Sequence, residues 1–152
     1  MRRGNLFALI GLGVVVFLVV SALLARALSI DGAEQSAITT LLQAEARGDA
    51  AGMTERIKDC GRSPACRARA ATDAAALRGP GQVTVIKLDH SAGFSLGSTL
   101  GTARVVWRIA NGLPIVQCVR VRRAGNLLGG LRIELLEISR RIPSDKDCPA
   151  SY

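Results

Sequence analysis

Leu6 to Ala25 is a run of 20 residues without a single charge, and it constrains the chain more than any other feature. A helix rises 1.5 Å per residue, so such a run spans about 30 Å, the hydrocarbon thickness of a bilayer. Arg2 and Arg3 precede it, and positive charge is retained on the cytoplasmic side. The expectation is therefore a single-pass anchor with a cytoplasmic stub at 1–5, a transmembrane helix at 6–25 and a linker at 26–32. The bilayer would be the first partner, and the remaining chain would lie outside the cytoplasm. The competing reading is a secretory leader cut after Ala27, because Ala25-Arg26-Ala27 has the small-x-small form of a cleavage site. Apolar cores of leaders usually run about 7–15 residues, which favours the anchor.

All four cysteines, Cys60, Cys66, Cys118 and Cys148, follow the apolar run. An even count in an exported domain points to disulfides, and four cysteines allow three pairings. Cys60 with Cys66 is favoured, because Gly61 and Pro64 between them let the chain turn back. Cys118 with Cys148 would then tie the tail to a strand. Zinc is disfavoured, since no CxxC spacing exists and His90, the single histidine, lies far from every cysteine. No cofactor motif is present.

From Asp31 onward the chain carries 17 basic and 12 acidic residues, a net charge of +5. Such a surface attracts anionic partners. Nucleic acid is excluded as the expected one, because the whole chain has one Trp, one Tyr and three Phe on which bases could stack. Another protein of the cell envelope fits better, and a small-molecule ligand is left open.

Local patterns divide the exported part into helices followed by strands, one α+β domain at 33–142 with a polar tail at 143–152. Asp31 and Glu34 read as a capping pair opening a helix. Ile38, Leu41, Leu42 and Ala46 form its apolar stripe, and Arg47-Gly48 closes it. Asp49 caps a second helix reaching about Asp59. Ser63-Pro64 starts a third, which ends near Leu77 before Gly79-Pro80-Gly81.

The period then changes. Val83–Leu88 is β-rich, Ser91–Gly101 is a glycine-rich loop, and Ala103–Ile109 alternates. Asn111-Gly112 reads as a two-residue hairpin turn with positive φ at both positions. That turn predicts paired residue numbers summing to 223, with Trp107 opposite Val116 and Val105 opposite Cys118, so that Cys118 would share the apolar face. Leu131–Ile142 is the last strand, and its alternation slips at Leu135-Leu136, which predicts a bulge.

Three helices, the first two joined by Gly48-Asp49-Ala50-Ala51, followed by antiparallel strands, resemble the nuclear-transport-factor-two-like superfamily. Within it the layout is similar to small membrane-anchored envelope members associated with mammalian-cell-entry lipid transport. The resemblance covers about Asp31 to Ile142. It implies three helices packed on a curved antiparallel sheet of about four strands, wrapped into a cone. Enzymes of the superfamily that abstract protons place an Asp inside that cone.

Catalytic residues are not expected. Asp89 and His90 are adjacent on a strand end and diverge. Glu134 and Glu137, three apart, would fall on opposite faces of a regular strand. No GxSxG, P-loop or HExxH pattern occurs. Arg104, Arg108, Arg120 and Arg122 form the densest basic group and the expected face for an anionic partner. Leu127 and Leu128, flanked by glycines, are the expected loop contact. The function implied is an anchored, extracytoplasmic accessory or binding domain without catalysis. The alternatives are an isomerase-type enzyme working in the cone and a cleaved, secreted small-ligand-binding protein.

Overall fold

The computed structural model describes residues 3–90, 99–126, 130–144 and 146–149. Helix α1 spans Arg3–Ala46, α2 Ala50–Arg56 and α3 Pro64–Leu77, with a 3-10 turn at Cys60–Arg62. Strands β1 (Val83–Asp89), β2 (Thr99–Ile109), β3 (Ile115–Asn126) and β4 (Gly130–Ile138) form one antiparallel sheet in the order β1-β2-β3-β4. The chain divides into two units, Met1–Gly32 and Ala33–Tyr152.

The first unit corrects the anchor reading. Among the described residues, no helix is long and apolar enough to cross a membrane. The transmembrane helix of the expected fold class, and the single-pass localisation drawn from it, are withdrawn on this finding. The linker at 26–32 is also replaced, since α1 runs through those positions. Asp31 consequently lies inside a helix rather than at its start.

The second unit begins on α1. Ile38, Leu41 and Leu42 are all 0% exposed, and each contributes about 1.5–3 kcal/mol through burial. The helix stops at Ala46, and Gly48 follows at φ +74°, a conformation costly for a residue with a Cβ. The Asp49 side chain then accepts from the Gly52 N–H at 2.8 Å and opens α2. α2 ends at Arg56, three residues before the expected Asp59. Ile57 turns extended there and bridges Leu135, while Lys58 N–H donates to the Leu135 carbonyl at 2.7 Å. This segment covers the β4 edge of the sheet. Ser63 and Pro64 start α3 as the sequence suggests, with the Ser63 hydroxyl accepting from Cys66 N–H.

The β2–β3 hairpin departs from expectation by one residue. Trp107 pairs with Ile115, Val105 with Gln117 and Arg104 with Cys118, so paired numbers sum to 222. Positive φ falls on Ala110 rather than on Asn111 and Gly112, and Gly112 N–H closes onto the Ile109 carbonyl at 2.9 Å. Pro114 has no N–H to offer a ladder, so the return strand starts at Ile115. Because strand side chains alternate, one step of slip exchanges faces. Gln117 turns into the core and Cys118 turns away from it.

In β4 the register shifts between the pairs Arg120↔Glu137 and Val121↔Leu135, which makes Leu136 the extra residue of a bulge. After β4 the chain continues along β3, with Ser139 N–H on the Cys118 carbonyl and Ile142 N–H on the Val116 carbonyl. Disulfides join Cys118 to Cys148 and Cys60 to Cys66.

Candidate functional site

β2 and β3 each present alternate residues to the core, namely Ala103, Val105 and Trp107 from one and Ile115, Gln117, Val119 and Val121 from the other. The residues between them therefore share the opposite face, and Arg104, Arg108, Arg120 and Arg122 are all there. The bulge at Leu136 brings Glu134 and Glu137 to that face too, opposite Arg122 and Arg120. This corrects the expectation that they diverge: the extra residue restores the parity that a spacing of three would break.

The four arginines are consequently not equivalent. Arg120 pairs with Glu137 at 3.2 Å. Arg122 donates from Nε to Glu134 at 2.6 Å, and Lys58 reaches the other oxygen of that carboxylate at 2.7 Å. These two cationic donors hold the Glu134 carboxyl below its ordinary range. Arg104 donates from Nη2 to the Ser144 carbonyl at 2.6 Å and so braces the tail. Arg108 is exposed and has no carboxylate partner among the described residues.

A cleft of about 530 Å³ opens at the hairpin end of this face, lined by Leu113, Pro114, Val116, Arg141, Ile142 and Pro143, with Ser144 at its border. Leu113 is 80% exposed. Val116 pairs with Val106, and Arg108 stands two residues further along β2 on the same face. Arg141 donates to the Pro114 carbonyl at 3.3 Å. The cleft lining thus holds the guanidinium group of Arg141, and Arg108 lies outside that lining on the same face of the sheet.

A second polar constellation, which the sequence reading missed, lies inside the core. The Trp107 indole N–H donates to Gln117 Oε1 at 2.7 Å. Gln117 Nε2 in turn donates to Glu45 Oε1 at 2.8 Å and to the Ser139 carbonyl at 3.1 Å. Burial pushes the Glu45 carboxyl up to about 8, against the Gln117 hydrogen bond and with help from the Asp73 carboxylate. Burial likewise raises Asp73 to about 6, opposed by Arg69 and Arg140. Three turns earlier on α1, the wholly buried Glu34 receives Arg123 from β3, Nη2 at 2.8 Å and Nε at 3.0 Å. A signal for both carboxylates was present: Glu34 and Glu45 are 11 apart, and Glu45 continues the stripe of Ile38, Leu41 and Leu42.

Asp89 pairs with Lys87 at 3.0 Å and His90 is exposed, so these neighbours form no acid–base couple. Leu127 and Leu128 lie outside the described residues. Among the described residues no three His, Cys, Asp or Glu side chains gather as metal ligands. No family model matches the chain, and no curated protein or solved structure matches it either.

Proposed function

We propose that the chain is a binding module of an oxidising, extracytoplasmic compartment and that it docks an acidic segment of another protein at the cleft beside Arg108. The observation that carries this reading is a cleft with apolar walls at Leu113, Val116 and Ile142 and Arg141 in its lining, with Arg108 on the same sheet face; neither arginine meets a carboxylate among the described residues. Two further facts support it. The two disulfides suit an oxidising compartment. The net charge of +5 from Asp31 onward favours an acidic counterpart and speeds its encounter. Helices followed by an antiparallel meander also keep the nuclear-transport-factor-two-like superfamily within the proposal. Glu45 is the group that a cone enzyme would use for proton transfer, but it is 0% exposed and the described clefts have other linings. Binding is therefore preferred over catalysis.

The test is binding of a fluorescent peptide that alternates glutamate with leucine. Affinity should fall as salt rises, and Arg108→Glu should weaken it about tenfold or more at low ionic strength. Leu113→Ser should weaken it without changing the salt dependence. Equal affinity in wild type and Arg108→Glu at low salt would remove the proposal.

A further inference from the structure

Arg104 of β2 and Cys118 of β3 are register partners on the outer face of the sheet. The backbone fixes how closely they approach. Cys118 N–H donates to the Ser139 hydroxyl at 2.8 Å, and its carbonyl accepts from Ser139 N–H at 2.8 Å. Both main-chain groups of Cys118 are therefore turned away from β2, which makes Arg104↔Cys118 a non-hydrogen-bonded antiparallel pair. Such pairs are the closer kind, with Cα atoms about 4.5 Å apart and side chains adjacent on one face. The two side chains also reach the same stretch of tail. Cys118 is bonded to Cys148, and Arg104 donates from Nη2 to the Ser144 carbonyl at 2.6 Å. Arg104 Nε is buried and has no hydrogen-bond partner. Arg120, next along β3 on that face, is by contrast engaged by Glu137.

The two disulfides differ in what a departing thiolate meets. In each, one cysteine is sealed and the other half-exposed: Cys118 is 0% and Cys60 1% exposed, whereas Cys148 and Cys66 are partly open to solvent. An attacking thiolate reaches only the outer sulfur, so the inner sulfur must leave. Cys60 belongs to the apolar core cluster with Met53 and Ile57, where a thiolate is poorly solvated. Cys118 stands outside that cluster with a guanidinium beside it.

We propose that Cys118–Cys148 is a reducible site that reacts with a dithiol, and that Arg104 receives the charge of the departing Cys118 thiolate. One thiolate of the dithiol attacks Cys148 Sγ. The Cys118–Cys148 bond breaks and its electron pair leaves on Cys118 Sγ, facing Arg104. The second thiol of the dithiol then attacks its own partner sulfur in the mixed disulfide and expels Cys148 as a thiolate. The dithiol loses two electrons and two protons and becomes a disulfide, while Cys118 and Cys148 gain them as two thiols. Cys60–Cys66 stays closed. Reduction unfastens the tail that brings Ile142, Pro143 and Ser144 to the cleft, and so weakens docking there. That consequence rests on the docking reading, whereas the reducibility of the site does not.

The experiment treats the oxidised full chain with limiting dithiothreitol, quenches it with acid at intervals, and maps the thiols by alkylation after unfolding. Cys118 and Cys148 should be freed about tenfold faster than Cys60 and Cys66, a comparison that needs no variant. Arg104→Gln should slow their release about threefold or more, and Arg104→Lys, which keeps the charge, should restore it. The sign separates two roles, because Arg104 also braces the tail through Ser144. A purely structural Arg104 predicts a looser tail and faster reduction in Arg104→Gln. Equal rates at the two disulfides, faster reduction in Arg104→Gln, or a Lys variant as slow as the Gln one would overturn the proposal. A reduced CxxC protein at the same thiol concentration separates the sources: reduction faster than by dithiothreitol assigns a protein dithiol, and slower reduction a small one. With Cys118–Cys148 alone reduced, the glutamate–leucine peptide should bind about threefold or more weakly, since a fixed wall lowers the ordering cost of binding. A peptide that never binds the oxidised chain would end the docking reading and leave the reducible site standing.

Discussion

Gln117 is the residue on which the core turns. It occupies an inward position of β3 that would suit an aliphatic side chain, and it satisfies three groups at once. Its replacement by Leu preserves bulk but strands the Trp107 N–H, the Ser139 carbonyl and Glu45. A buried polar atom left without its partner costs about 1–3 kcal/mol. Gln117→Leu should therefore lose about 3–5 kcal/mol in denaturant unfolding, with a changed Trp107 emission in the native baseline. A loss below 1 kcal/mol would mean that water replaces the amide. Glu45 could have been noticed beforehand as a carboxylate within an apolar stripe. Its partners could not, because Gln117 reaches the core face only through the hairpin register.

Among elements, the end of α1 and the starts of α2 and α3 were legible because each is decided within a few residues. Gly48 at φ +74°, Asp49 on Gly52 and Ser63 on Cys66 are contacts spanning three residues or fewer. Asp49→Ala should accordingly cost about 1 kcal/mol, read as a lower denaturation midpoint with unchanged slope. The Leu136 bulge was legible too, since it interrupts a period-two pattern. Its consequence was not: Glu134 and Glu137 meet Arg122 and Arg120 on one face only because β3 runs alongside. The start of α1 was misread for a comparable reason. Asp31 and Glu34 carry a capping signature, but the helix is already formed at Asp31, and Glu34 is claimed by Arg123 from 89 residues away. The hairpin was misread by one step because Asn111-Gly112 suggested a turn that Pro114 lengthens.

At the scale of the domain, the two disulfides differ in reach. Cys60–Cys66 closes a separation of six residues, whereas Cys118–Cys148 closes 30 and fastens the tail that Arg104 also braces. Loop-closure entropy gives about 2 kcal/mol for the shorter link and about 3.5 kcal/mol for the longer. Serine pairs at each site should rank in that order in thermal unfolding. Removing Cys118–Cys148 should also weaken peptide binding, because Ile142 and Pro143 line the cleft. The reverse ranking would show that the tail adds strain to the native state.

Composition and local pattern determined the charge, the caps of α2 and α3, the end of α1 and the presence of a bulge, because each depends on neighbours along the chain. Tertiary structure decided which face of β3 meets the core, which arginines are spent on Glu134 and Glu137, and which carboxylates go under the sheet. Those outcomes follow from strand register, and register answers to the summed burial of two strands and a helix rather than to any short run of residues.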